Sequence, residues 1–263
     1  MNVRKALFFD VDGTLLSERN GQIPESAHRA IQAARQKGHL AFVNSGRVFS
    51  LLDPIRQAIA MDGYLCGCGT YIILGDKELY ARKIPHERGI EIKAILAKHG
   101  MEGILEGKGG CHFRRETSPM PRLEQIRRNI QQAGGVSPYV LEEDNYDFDK
   151  FCCVSDASSD VAGFIRELPD FDVIDRGNDF WECVPKGHSK ATAIHRVLEA
   201  CGIPLENAYV FGDSTNDLSM FACAKHAVLM GRHDKELEPY ATFVTKTVEE
   251  DGIAWAMEAL GII

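Results

Sequence analysis

The chain has 263 residues, enough to bury one large core or two smaller ones, and its hydrophobic and charged fractions of 44% and 26% are typical of a globular protein. The formal net charge of -8 disfavours a nucleic-acid backbone or an anionic membrane as the main partner. The eight cysteines lack the spacing of a disulfide framework or a zinc site, which indicates free thiols. No apolar run suits a signal peptide or a transmembrane helix, so we expect a cytoplasmic protein.

The first part of the chain alternates strands with helices. A continuously apolar run at 5–11 predicts a strand that is covered on both faces, as in a parallel sheet. The predicted elements that follow are a helix at 23–38, a strand at 40–43, a helix at 50–60, a strand at 63–66 and a hairpin at 70–81.

The same alternation returns near the end of the chain. A helix is predicted at 189–203, with Ser189 as its N-cap and Gly202 at its end. It is followed by predicted strands at 208–211, 226–230 and 242–245 and by a closing helix at 252–260. Strands that alternate with helices indicate a parallel sheet with right-handed crossovers.

The segment between these parts, 83–182, is richer in strands. Its predicted elements are helices at 87–98, 121–132 and 159–167, two strands near 103–114, a strand at 150–155 and a hairpin over 171–184. We therefore predict an α/β core made of 1–82 and 183–263, and an inserted α+β domain made of 83–182.

Three polar clusters follow apolar strands of the predicted core. They are Asp10–Thr14, Asn44–Arg47 and Gly212–Asp217. The carboxyl ends of parallel strands share one edge of a sheet, so we expect these clusters to meet there. Lys190, at the start of a helix that precedes the next strand, can reach the same edge.

The residue types in these clusters point to phosphoryl transfer. The carboxylates of Asp10, Asp12, Asp213 and Asp217 favour a hard cation such as Mg²⁺, whereas Ser45, Lys190 and backbone N–H groups favour a phosphate. Residues i and i+2 of an extended chain project to the same side. Asp10 could therefore attack a phosphorus atom while Asp12 exchanges protons with the leaving oxygen and with water.

Simpler interpretations exist for several of these residues. An Asp-x-Asp-Gly stretch also makes a polar turn, although a calcium loop fails because its twelfth position is Gly21. Taken singly, Lys190 is an ordinary surface lysine and Ser45 an ordinary helix cap. Asp217 is as well suited to orienting loops as to touching a metal. Arg47 is as well suited to facing solvent as to contacting the substrate.

Four motifs in order, "DVDGTL", "NSGR", "GHSK" and "GDSTND", resemble those of the haloacid dehalogenase (HAD) superfamily of phosphohydrolases. The insert between the second and third motifs resembles the type IIB cap of its Cof-like branch. The resemblance implies a Rossmann-like core with strand order 5-4-1-2-3, an inserted α+β cap that selects the substrate, and hydrolysis of small phosphorylated metabolites, often sugar phosphates.

The resemblance also implies a role for each matching residue. Asp10 becomes the nucleophile and a Mg²⁺ ligand, Asp12 becomes the general acid and base with its backbone carbonyl on the metal, and Asp213 becomes the second carboxylate on the metal. The phosphoryl group would be held by Thr14, Ser45, Gly46, Lys190 and Asn216. Asp217 and Arg47 would support the site.

The chain departs from the family pattern at two positions. Cys68, in "CGCGTYI", stands where the family usually has Asn, and Asn44 stands before Ser45 where a small residue is more usual. The first departure leaves the core chemistry intact but removes a polar contact that this loop would make with the substrate.

The sequence thus predicts a Mg²⁺-dependent phosphatase of a small phosphorylated metabolite, and it assigns no oligomeric state. A phosphotransferase or mutase would use the same residues with a hydroxyl in place of water. A receiver-like phospho-switch combines an acceptor Asp, a Lys and Mg²⁺ on a similar sheet, but Asp12 and the large insert disfavour it.

Overall fold

The structure, a computed structural model, describes residues 3–263, which form two compact units. The first unit contains the residues up to Gly46, Ile55–Tyr80 and Ser189–Ile263, and the second contains Arg47–Pro54 and Ala81–His188. The division differs from the sequence boundaries mainly at 47–54, which the sequence alone assigns to the core. This segment clusters with the second unit because Val48 packs into one of that unit's apolar clusters.

An eight-stranded sheet forms the first unit. Its strands are β1 (Ala6–Phe9), β2 (Leu40–Asn44), β3 (Gly63–Cys66), β4 (Tyr71–Leu74), β5 (Lys77–Ala81), β11 (Ala208–Gly212), β12 (His226–Leu229) and β13 (Phe243–Val244). They lie in the order β13-β12-β11-β1-β2-β3-β4-β5, and the pairs from β13 to β3 are parallel. The predicted order 5-4-1-2-3 corresponds to β12-β11-β1-β2-β3 and is confirmed. It places the ends of β1 and β11 side by side.

Helices cover both faces of this sheet. They are α1 (Glu25–Gln36), α2 (Asp53–Ala58), α6 (Lys190–Cys201), α7 (Leu218–Cys223) and α8 (Gly252–Ala259). Strand β1 is fully buried, as predicted: Phe8 stacks on Phe42 with ring centroids 5.1 Å apart, and Phe9 stacks on Phe211 at 4.6 Å. The sequence prediction missed α7, a six-residue helix too short to show a periodic apolar pattern.

Both ends of α6 are fixed by local side chains. Ser189 accepts a hydrogen bond from the Thr192 N–H, while the Thr192 hydroxyl accepts one from the Ser189 N–H. Gly202 ends the helix in the left-handed conformation, with φ 63°. The predicted N-cap and C-terminus are therefore confirmed, and Lys190 is the first residue of the helix.

The second unit contains a five-stranded antiparallel sheet in the order β7-β6-β8-β10-β9. Its strands are β6 (Glu102–Gly107), β7 (Gly110–His112), β8 (Lys150–Val154), β9 (Phe171–Asp175) and β10 (Phe180–Pro185). Its helices are α3 (His86–Lys98), α4 (Pro121–Gln132) and α5 (Val161–Arg166). Within residues 3–263, no helix combines the length and apolarity needed to cross a membrane.

Neighbouring residues of β8 belong to different apolar clusters on the two faces of this sheet. Cys153 packs with Phe151 and Phe164 on one face, and Cys152 packs with Val48 and Leu123 on the other. The two adjacent thiols therefore point apart, as the strand pattern predicts. All eight cysteines are free thiols, which confirms that prediction too.

Gly69 lets the loop after β3 approach the start of α6. A Cβ on Gly69 would lie 2.7 Å from the Ser189 carbonyl oxygen, and its φ is +87°. Gly75 has a similar left-handed φ of +58°, but a Cβ there would meet nothing within 4 Å.

We expect Gly75→Ala to lower the free energy of unfolding by about 1–2 kcal/mol, the cost of a left-handed alanine. Gly69→Ala should cost about 1–3 kcal/mol more because it also forces Ser189 away. Urea denaturation of the two variants measures the difference. Equal losses would show that the loop does not restrain the start of α6.

Candidate active site

Lys190 joins three separate parts of the first unit. Its side chain is buried, with 1% of its surface exposed. The ammonium donates to Asp10 Oδ1 at 2.6 Å, to Asn216 Oδ1 at 2.9 Å and to Asp217 Oδ1 at 2.5 Å. The end of β1, the start of α6 and the loop after β11 therefore converge on one cation, as their positions at one edge of the sheet predict.

The loop after β1 turns sharply at Gly13, close to the side chain of Asp213, which lies on the loop after β11. Gly13 has φ +77°, and a Cβ there would lie 2.4 Å from Asp213 Oδ2, so only glycine fits. The Thr14 hydroxyl donates to Asp213 Oδ1 at 2.8 Å. The sequence predicts that Thr14 touches the phosphate through its backbone N–H or its hydroxyl, and in this structure the hydroxyl is engaged with a carboxylate.

Asp217 organises the loop after β11. Its Oδ2 accepts hydrogen bonds from the N–H groups of Asp213 at 3.0 Å and Ser214 at 3.3 Å, while its Oδ1 accepts from Lys190. Asp234 braces the same loop, because it accepts from the Thr215 N–H at 2.8 Å. Both oxygens of Asp217 are therefore occupied by donors, which fits a supporting role.

Three carboxylates of the site form a cluster that could hold a metal ion. Asp10, Asp213 and Asp217 each offer an oxygen, and these atoms lie within 4.8 Å of one another. Burial raises the pKa of Asp10 to about 7, although Lys190 opposes it. Burial, reinforced by Asp10 and Asp217, raises the pKa of Asp213 to about 8. One ammonium thus faces an excess of negative charge.

An all-oxygen set with excess negative charge suits a hard divalent cation. Because Asp217 is engaged with Lys190 and with backbone N–H groups, Asp10 and Asp213 are the carboxylates best placed to hold it. Although burial opposes it, the negative charges of Asp10 and Asp217 raise the pKa of Lys190. The lysine therefore stays charged beside them.

Asp12 occupies a different environment from Asp10. Asp10 is 2% exposed and bonded to Lys190, whereas Asp12 is exposed and its side chain lies outside the carboxylate cluster. Two acids that differ in this way are suited to different tasks in one reaction.

The loop after β2 reaches the same region. The buried Ser45 donates its N–H to the Leu65 carbonyl at 2.9 Å, and its carbonyl accepts from the Cys68 N–H at 3.2 Å. Gly46 follows it, half-buried, at the end of this part of the first unit. Cys68, the departure from the family pattern, has the left-handed φ of 55° that Asn adopts more readily.

Asn44 has a contact that sequence reasoning missed. It is fully buried, and its Nδ2 donates to the backbone carbonyl of Lys190 at 3.1 Å. The available signal was an amide at the end of an apolar strand, directly before Ser45. Asn44 therefore ties β2 to the first residue of α6.

Arg47 belongs to the second unit, unlike the other predicted site residues. Its Nη1 donates to the carbonyl of Leu51 at 3.4 Å, within the same short segment.

A cavity of about 220 Å³ opens beside Gly13 and Asp213. Its further walls include Ser214, Arg232 and His233. Space for a ligand therefore exists next to Asp213, one of the two carboxylates whose pKa is raised.

In this site, buried acids outnumber a buried lysine at the carboxyl edge of a parallel sheet. Such an arrangement is typical of an enzyme that transfers phosphoryl groups with the help of a cation. The model of the haloacid dehalogenase-like hydrolase family matches residues 7–257. The chain belongs to this family, and it is a phosphatase of the Cof-like branch. The resemblance predicted from the four motifs is confirmed.

Known proteins resemble the chain over nearly its whole length. YkrA of Bacillus subtilis is 28% identical over 98% of both chains. The 5-amino-6-(5-phospho-D-ribitylamino)uracil phosphatase YwtE of Bacillus subtilis is 30% identical, over 97% of this chain and 98% of its own. A solved HAD subclass IIB sugar phosphatase superposes with a TM-score of 0.83 at 28% identity, covering 98% of this chain and 100% of its own.

We expect Asp217→Asn to lower the free energy of unfolding by about 2 kcal/mol. The change removes a buried ion-pair partner of Lys190 and turns an amide toward two N–H donors. It also relieves repulsion from the other carboxylates, which offsets part of the loss of stability. Asp12→Asn, in the exposed neighbouring acid, should change stability by less than about 0.5 kcal/mol. Urea denaturation without metal gives both values, and equal stability of the two variants would contradict the role of Asp217.

Proposed function

We propose that the chain removes phosphate from a small phosphorylated metabolite, with Mg²⁺ as cofactor and a phosphorylated Asp10 as intermediate. The observation that carries the proposal is the contact of Asp10 with Lys190 inside a cluster that has too few positive charges. Such a cluster suits a magnesium ion and the phosphate that shares it.

The relatives support the substrate class. YwtE acts, by its name, on a phosphoribityl-aminouracil, and the solved subclass IIB protein is a sugar phosphatase. Both substrates are small phosphate esters with polar leaving groups. A sugar phosphate or a compound of similar size is therefore the substrate that we propose here.

The proposed reaction has two steps. A carboxylate oxygen of Asp10 attacks the phosphorus, the bond from phosphorus to the ester oxygen breaks, and the Asp12 carboxyl gives its proton to the leaving oxygen. Water then attacks the same phosphorus while Asp12 takes a proton from it, which releases inorganic phosphate and restores Asp10. The exposed position of Asp12 gives it access to water.

Lys190 favours the ionised form of Asp10, against the effect of burial, and orients it through their 2.6 Å contact. Asp10 and Asp213 would hold the Mg²⁺, which supplies positive charge for the phosphoryl oxygens. Ser45, Gly46 and Asn216 would complete the phosphate site. The second unit would act as the cap that excludes water and selects the leaving group.

Asp10→Asn should abolish phosphate release because an amide cannot form the intermediate. Asp12→Asn should slow release by about 10²–10⁴-fold, since only proton transfer is lost. Phosphate release from a panel of sugar phosphates with Mg²⁺ measures both, and product analysis tests for transfer to another sugar.

The thermal midpoint of Asp10→Asn should stay near that of the wild type, so that loss of folding does not explain loss of turnover. Appreciable turnover by this variant would reject Asp10 as the nucleophile.

Metal-free protein should lose stability as the pH rises from about 4 to about 8. The raised pKa values of Asp10 and Asp213, about 7 and about 8, mean that the folded state keeps protons there that the unfolded chain has already released. Mg²⁺ should therefore raise the thermal midpoint more at about pH 8 than at about pH 5.

Calorimetry with Mg²⁺ and with EDTA at each pH gives this comparison. Asp213→Asn should reduce both the pH dependence and the gain from Mg²⁺. A gain from Mg²⁺ that is the same at both pH values, or that survives in this variant, would contradict the proposed metal site.

A further inference from the structure

Two neighbouring strands hold the opposite ends of Lys190. Strands β1 and β2 pair in parallel register, with Phe8 beside Phe42 in the apolar cluster that α6 covers. Asp10 and Asn44 lie two positions further along these strands, so both side chains project toward α6. The Lys190 ammonium donates to Asp10 at 2.6 Å, and the Asn44 Nδ2 donates to the Lys190 backbone carbonyl at 3.1 Å.

The amide of Asn44 is costly to the fold. It is fully buried, and no donor within residues 3–263 reaches its Oδ1. Its orientation is fixed, because only the NH₂ group can face a carbonyl oxygen. A buried acceptor without a donor lowers stability, and asparagine is depleted in strands. An apolar side chain at the end of β2 would avoid both costs.

Helix α6 does not need this bond for its own hydrogen bonding. Lys190 is its first residue, so the carbonyl already accepts from the N–H four residues later. Ser189 and Thr192 complete the N-terminal cap between them. Asn44 is also a departure from the family pattern, in which a small residue is more usual before Ser45. A local cost without a structural need is expected where a residue serves the function.

We propose that Asn44 is a positioning residue that fixes the backbone of Lys190, so that the ammonium reaches both Asp10 and the transferring phosphoryl group. This inference rests on the proposed phosphatase function. When the carboxylate of Asp10 becomes an acyl phosphate, the ammonium has to turn from it to the phosphoryl oxygens. Lysine has a long, flexible stem, so its reach depends on where its backbone is held. A displacement of about 1 Å can cost about 100-fold in rate.

The kinetics of Asn44→Leu test this role. The variant removes the bond and the unpaired oxygen together, so its thermal midpoint should equal or exceed that of the wild type. With Mg²⁺ and p-nitrophenyl phosphate, kcat should fall by about 10–100-fold, because the ammonium is misplaced during the chemical step. KM should change by less than about threefold, since the loss falls on the transition state.

Two further variants separate positioning from packing. Asn44→Ala covers the case in which leucine is too large, and it should lower kcat in the same way. Val43→Ala is the matched control, because Val43 is fully buried on the same strand but projects to the other face of the sheet. It should lower the thermal midpoint and change kcat by less than about threefold.

A spectroscopic measurement tests the same role without turnover. In metal-free protein labelled with ¹⁵N-lysine, the Lys190 ammonium is held by three acceptors, and through-bond correlations from its own backbone assign its resonance. Asn44→Leu should shift this resonance or broaden it through faster exchange with water. Val43→Ala should leave it unchanged.

An unchanged ammonium resonance in folded Asn44→Leu would overturn the proposal. So would an unchanged kcat in this variant, or an equal loss of kcat in Val43→Ala. Absence of phosphate release by the wild type would instead reject the proposed function, and the ammonium resonance would still decide whether Asn44 positions Lys190.

Discussion

The buried ion pairs of Lys190 are the interaction on which the first unit depends. One ammonium with 1% of its surface exposed holds Asp10 and Asp217, residues that lie 180 positions before it and 27 positions after it in the chain. Removing charges from water is costly, and a buried charge is tolerated only where its partners are fixed in place. The sheet order, the cap of α6 and the hydrogen bonds of the loop after β11 all serve to fix these partners.

The arrangement still leaves negative charge in excess, and this excess adds to burial, the main cause of the raised pKa values of Asp10 and Asp213. A structure built only for stability would avoid this, because the folded state must take up protons or a cation to relieve it. The Thr14 hydroxyl on Asp213 and the N–H groups on Asp217 hold the acids in place instead of letting them separate. The cluster is therefore strained by charge and is suited to a cation and a phosphate.

Much of this could be predicted from the sequence because the signals were local. Apolar runs that end in polar residues predicted β1, β2 and β11, and the rule for parallel strands predicted that their ends converge. The contacts that escaped prediction join distant parts of the chain. The amide of Asn44 on the Lys190 carbonyl and the packing of Val48 in the second unit depend on tertiary placement, which periodicity does not encode. The sequence is equally compatible with a Thr14 hydroxyl that bonds to a phosphate. The position of Asp213 in the fold determines that the hydroxyl donates to this carboxylate instead.

Each unit buries a cluster of charged side chains, and the two clusters differ in their balance of acids and bases. Around Lys190 the acids outnumber the bases, so that cluster attracts a cation. In the second unit, Lys150 and Arg176 pair with Glu106 and Glu182, so two bases meet two acids. Each cluster lies within one unit, so the acids proposed for the chemical step are held by a core of their own. Substitutions elsewhere in the chain could then leave the acids that act on phosphorus in place, which is how one fold could serve several metabolites.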